Sequence, residues 1–148
     1  MAIGGIVVMS DICTLALRIA KKAHYGQVDK GGIEYIQHPI YVANQMETDE
    51  EKAVALLHDV IEASNYGVND LRKSGFPETV VQAVDLLTKR PEVAYADYLA
   101  LIKENPLAKA VKLAELKHNT DLSRISEIGL ADFERIEAYQ QAIDYLNT

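Results

Sequence analysis

His58, Asp59 and Glu62 stand inside AVALLHDVIEAS, residues 53–64, whose other members are almost all apolar. Ala53, Val54, Leu56, Leu57, Val60 and Ile61 would cover nearly the whole circumference of a helix there, so that helix is expected to run through a core. An ionised carboxylate without a partner is costly in such surroundings; it normally takes up a proton or finds a counter-charge. At 3.6 residues per turn His58 and Asp59 are about 100° apart, and Glu62 is one turn beyond His58. One side of a continuous helix from Thr48 to Ser64 is therefore expected to carry all three. Such a trio forms an internal imidazole–carboxylate pair or part of a metal site.

Two other segments weigh towards the metal. In YIQHP, residues 35–39, His38 directly precedes a proline at a helix start, which predicts an extended backbone and a side chain fixed where loop meets helix. In KLAELKHN, residues 112–119, Glu115 is a second acid among apolar neighbours, with His118 at i+3 and Asn119 at i+4. Two neutral imidazoles and two ionised carboxylates from three segments would balance a divalent cation in formal charge. They would also leave positions open for water and a substrate oxygen. Mixed nitrogen and oxygen ligation suits Mn²⁺, Fe²⁺ or Zn²⁺ better than Ca²⁺.

The elements that must bring these residues together read as helices. Ser10 is a candidate N-cap for SDICTLALRIAKKAH, with Ile12, Leu15, Ala16, Ile19, Ala20 and Ala23 on one stripe. GQVDKGGIEYIQ breaks the pattern, and Pro39 starts the next helix. Thr48 or Asp49 caps the helix that carries His58, with acids in its first turn. VNDLRKSG, PETVVQAVDLLTKR, VAYADYLALIKEN, PLAKAVKLAELKHN and LADFERIEAYQQAIDYLN follow. No alternation of strand type appears after residue 10. The pattern predicts an all-α fold, a compact bundle of about seven or eight helices over residues 10–148, with residues 1–9 a leader or docking segment.

Composition narrows the partners. Fifteen Lys and Arg against 22 Asp and Glu give a net charge of −7, which opposes binding to a DNA or RNA polymer or to an anionic membrane. It does not oppose a small anionic substrate at a metal. The single cysteine, Cys13, excludes an intramolecular disulfide framework and a Cys-rich zinc site. A cytoplasmic protein is expected.

The order His, then His-Asp, then an acid resembles the HD-domain metal-dependent phosphohydrolases. AHYGQVDKGGIEYIQHP, ALLHDVIEAS and VKLAELKHNTDLSR are similar, more narrowly, to the (p)ppGpp hydrolase domain of RelA/SpoT-type enzymes and their small single-domain relatives. That resemblance implies an HD-type helical domain that removes the 3′-pyrophosphate of (p)ppGpp with Mn²⁺. It implies His38, His58, Asp59 and Glu115 as metal ligands, Glu62 as the base for the attacking water, and Lys30, Lys112 and Asn119 as substrate contacts. Three positions depart from the family pattern: Glu115 stands where the family has Asp, Ala63 where its second acid lies, and Asp29 where Arg is common. An acid at 29 is expected to repel a polyphosphate. The alternatives are an HD phosphohydrolase for another nucleotide or small phosphate ester, and a nucleotide-binding HD module with weakened chemistry.

Overall fold

The structure, a computed structural model, describes residues 6–29, 31–121 and 129–148. Among them are nine helical segments: α1 (Ile6–Ala23), α2 (Gln37–Asn44), α3 (Asp49–Leu57), α4 (Val60–Ala63), α5 (Val68–Lys73), α6 (Glu78–Leu87), α7 (Tyr95–Lys103), α8 (Pro106–Asn119) and α9 (Leu130–Leu146). The described residues form no strand, only an isolated antiparallel bridge between Val28 and Glu34. The architecture is all-α, as the periodicity predicts.

α3 is the axis of the domain. Its residues Ala53 to Leu57 are all buried, and it packs against α1, α2, α6 and α8. A helix apolar on every side can satisfy that pattern only by being surrounded. Its start is fixed by a reciprocal cap. The Glu51 amide donates to Thr48 Oγ1 at 3.1 Å, and Glu51 Oε1 accepts from the Thr48 amide at 3.0 Å, which satisfies two donors that the first turn would otherwise leave open. α8 is set in the same manner: Asn105 Oδ1 accepts from the Ala108 amide at 3.0 Å, and Pro106, which needs no amide partner, takes the first helical position.

Three boundaries differ from the sequence reading, and so does the exposure of the last helix. α1 begins at Ile6, so Ser10 lies within the helix rather than capping it. α2 begins at Gln37, and His38 is therefore helical instead of extended; its amide donates to Tyr35 O at 2.9 Å. Pro39 is tolerated one residue later because first-turn amides have no partner inside the helix. The helix expected from Thr48 to Ser64 is interrupted at His58 and Asp59, which divides it into α3 and α4 and yields the ninth segment. Finally, α9 buries Asp132, Ala142, Ile143 and Leu146 but leaves Leu130 and Phe133 76% and 55% exposed, so its apolar contact with the core is made by its C-terminal half.

The loop between α1 and α2 matters for the site. Gly26 and Gly32 turn the chain with φ of 81° and 80°, a left-handed conformation in which a side chain would be strained. Between them Asp29 Oδ1 accepts from the amides of Gly31 at 2.8 Å and Ile33 at 3.0 Å. Asp29 thus organises the turn that delivers Tyr35 and His38.

Candidate metal centre

The break after α3 is what exposes the chemistry of His58. Its Nδ1 lies 2.5 Å from the Ala55 carbonyl oxygen. A carbonyl only accepts, so Nδ1 carries the proton and Nε2 is turned the other way, towards the acids. The same carbonyl is 3.5 Å from the His58 amide, a long contact that marks the end of the regular ladder. Asp59 then takes φ −111° and ψ 3°, the sparsely populated bridge region, in which many active-site residues sit. This swings the Asp59 carboxylate back beside His58, and α4 restarts at Val60.

Three elements meet at that point. α2 brings His38, the α3–α4 junction brings His58 and Asp59, and α8 brings Glu115. One ligand atom from each of the four lies within 4.8 Å of all the others. His58 Nε2 is 3.2 Å from Asp59 Oδ2 and 3.3 Å from Glu115 Oε2, while His38 Nε2 is 3.8 Å from Glu115 Oε2. Both Nε2 atoms are buried without a hydrogen-bond partner. Buried polar atoms are nearly always paired, so two orphaned imidazole nitrogens facing two carboxylates form a donor set that fits a divalent cation.

A surrounding set of side chains orients these four. Lys112 Nζ donates to Glu115 Oε1 at 2.9 Å, which leaves Oε2 facing the histidines. Tyr35 donates its hydroxyl to Asp59 Oδ2 in a close contact. His38 Nδ1 lies 2.7 Å from His118 Nδ1, and the two rings meet edge to edge, their planes within 12° and their centroids 4.9 Å apart. The Tyr41 ring stacks on His118 at 4.0 Å and 14°.

The electrostatics reflect this crowding. Burial disfavours the His58 imidazolium, but Asp59 and Glu115 outweigh it and hold its pKa well above the ordinary histidine value. Burial pushes the Asp59 and Glu115 carboxyls up; the charge of His58 at Asp59, and of Lys112 and then His58 at Glu115, reverses this and leaves both below the usual range. Lys112, disfavoured by burial, is held above the ordinary lysine value chiefly by Glu115. Burial and the neighbouring Asp59 carboxylate both push the Tyr35 phenol upward.

The other residues singled out from sequence are dispersed. Glu62 is outside the four-residue cluster and exposed, its Oε1 accepting from the Lys89 amide at 3.1 Å; its charge is nonetheless felt at Tyr35 and Tyr98, which border the site. Asn119 is half-buried at the last position of α8. Lys30 lies outside the described residues. Lys112, expected to contact substrate, is buried over the Tyr98 ring with its ammonium bonded to Glu115. Sequence reasoning passed over Tyr35 and Tyr41, whose one signal is their placement three residues before and after His38. His24 is buried, bonded through Nδ1 to Gln27 Oε1 at 3.0 Å, and packed on Tyr35.

His38, Tyr41 and His118 also line a cleft of about 350 Å³ that opens beside the cluster, with Asp29, Ile33 and Asn44 on its other walls. A second depression of about 540 Å³ lies across the Tyr41–His118 stack and shares those two rings.

No protein-family model matches the chain. Among curated proteins it is 32% identical over 117 residues to a GTP pyrophosphokinase of Streptomyces coelicolor, covering 70% of this chain and 14% of that protein. It is 38% identical over 78 residues to a guanosine-3′,5′-bis(diphosphate) 3′-pyrophosphohydrolase of Borreliella burgdorferi, covering 50% and 12%. To the bifunctional (p)ppGpp synthase/hydrolase SpoT of Escherichia coli it is 34% identical over 94 residues, covering 61% and 13%. The chain thus spans about one seventh or less of the length of these relatives. Among solved structures it superposes on a metazoan SpoT orthologue, said to hydrolyse ppGpp, with a TM-score of 0.72 and 23% identity over 91% of this chain and 85% of that one. The fold and the four-residue cluster define an HD-type helical domain. Its sequence is similar to a part of RelA/SpoT-type proteins, and its fold is that of the metazoan SpoT orthologue.

Proposed function

We propose that this chain is a divalent-metal-dependent phosphohydrolase that removes the 3′-pyrophosphate of a (p)ppGpp-like nucleotide. The observation that carries the proposal is the convergence of His38, His58, Asp59 and Glu115, with two orphaned Nε2 atoms turned into the same small space. Those four residues would hold the ion, and Mn²⁺ fits the nitrogen and carboxylate mixture. When bound, such an ion supplies Lewis acidity towards a phosphoryl oxygen and makes a water a better nucleophile at neutral pH.

The rest is done by the chain. Glu62, on the rim and open to solvent, takes the proton of the attacking water; a positioned base of this kind contributes roughly 10²–10⁴-fold. Lys112 keeps Glu115 ionised and fixes which of its oxygens faces the histidines, while Tyr35 does the same for Asp59. The cleft beside His38 gives the nucleotide a place next to the reacting centre; the family resemblance makes Asn119 and Lys30 its expected contacts. Water adds to phosphorus of the 3′-pyrophosphoryl group, the bond to the 3′ oxygen breaks, and ppGpp becomes GDP and pyrophosphate. The protein is expected to act on this small nucleotide in the cytoplasm rather than on a nucleic-acid polymer. No described helix is long and apolar enough to cross a membrane.

The test is incubation of the purified protein with ppGpp and Mn²⁺, followed by ³¹P NMR. Equimolar GDP and pyrophosphate are expected. Intact ppGpp together with orthophosphate release from nucleoside monophosphates would assign the site to a different phosphate ester.

A further inference from the structure

We infer that His118 is a positioning residue that holds His38 in the tautomer whose Nε2 lone pair faces the metal. The inference rests on the metal reading proposed above and adds a residue to it.

The geometry leaves two arrangements for the pair. A distance of 2.7 Å between His38 Nδ1 and His118 Nδ1 is a hydrogen bond, so one of the two nitrogens carries the proton and the other accepts it. If His118 donates, the neutral His38 must carry its own proton on Nε2. That hydrogen would then point among the ligand atoms, with Glu115 Oε2 at 3.8 Å, and no lone pair would be offered. If His38 donates, its Nε2 is free of hydrogen and faces the centre. Only the second arrangement makes His38 a ligand, and it requires His118 Nδ1 to accept. At His58 the same outcome is imposed by a backbone carbonyl, which can only accept. At His38 a side chain takes that part, and the His118 ring is held by the Tyr41 ring stacked on it at 4.0 Å.

Partners that hold the remote nitrogen of a ligating histidine typically contribute 10–100-fold to metal affinity. His118→Phe keeps a planar ring for the stack but removes the acceptor, whereas His118→Asn can place its Oδ1 where Nδ1 stands. The measurement is Mn²⁺ affinity without substrate, from the EPR signal of free Mn²⁺, on variants whose thermal unfolding shows them folded. Mn²⁺ binding about 10–100-fold weaker in His118→Phe is expected, with His118→Asn recovering most of it. Unchanged affinity in His118→Phe, or equal losses in both variants, would overturn the inference while leaving the metal reading intact. A parent protein that binds no divalent ion would instead overturn the metal reading, and this inference with it. Two-bond ¹H–¹⁵N spectra of the metal-free parent test it without any variant: His38 must carry its proton on Nδ1, and a proton on Nε2 refutes the assignment.

Discussion

Replacing Lys112 by methionine isolates the contact that sets the charge of the site. Methionine keeps most of the aliphatic stem over Tyr98 and deletes only the ammonium. The side chains of Lys112 and Glu115 are 11% and 12% exposed, with Nζ and Oε1 2.9 Å apart, so water screens the pair little. Removing one partner from a buried ion pair costs roughly 3–5 kcal/mol, because the other charge is left without compensation. Here Glu115 keeps His58 at 3.3 Å, which places the loss at the low end, about 3 kcal/mol. In a domain of this size that corresponds to a fall in Tm of roughly 6–12 °C. Urea unfolding at pH 7 in the presence of chelator measures it, with an unchanged m-value showing that the loss is one of stability. The double variant Lys112→Met/Glu115→Gln should lose less than the sum of the two single changes, since neither partner is then stranded. A Lys112→Met protein within about 0.5 kcal/mol of the parent, the range of an ordinary surface change, would refute the reasoning and return Lys112 to the substrate.

Two further outcomes follow from the same geometry. Glu62→Gln should lower turnover of ppGpp by roughly 10²–10⁴-fold while leaving metal content unchanged, because Glu62 lies outside the cluster; metal analysis beside the rate assay separates the two effects. Burial raises the Tyr98 phenol from 10.0 to about 12; its contribution to stability is therefore complete below the unfolded value and is lost as pH rises through the folded one. Urea unfolding near pH 9 and again near pH 12 should differ by up to about 3 kcal/mol from this group, and Tyr98→Phe should remove that part of the difference.

Much of this architecture was legible before any coordinates. The apolar circumference around Leu56 and Leu57 requires enclosure, and α3 is enclosed. Thr48 caps because its hydroxyl has an amide within reach and Glu51 returns the bond. The gathering of His38, His58, Asp59 and Glu115 could be anticipated because buried acids need compensation, and the other charged groups of the chain stand mostly in polar segments. The interruption at His58 and Asp59 could not be read. VALLHDVIEA is a continuous helix by local propensity, and the break comes from a side chain bonding back to the Ala55 carbonyl while Asp59 turns to Tyr35. Nor could the direction of Lys112 be known. A lysine three residues before an acid can reach solvent or fold back, and only the wall made by Tyr98 and α6 decides between them. Ser10 failed as a cap for a related reason: capping residues also occur inside helices, and nothing local reveals that the helix has already begun.

The central claim is that four side chains from three parts of the chain hold one divalent ion. Dialysis of the purified protein against Mn²⁺, then into metal-free buffer, followed by elemental analysis of the parent and of His58→Ala, tests it most directly. About one ion retained per parent chain, and none in His58→Ala at the same protein concentration, is the predicted result. Equal metal content in the two proteins would contradict it.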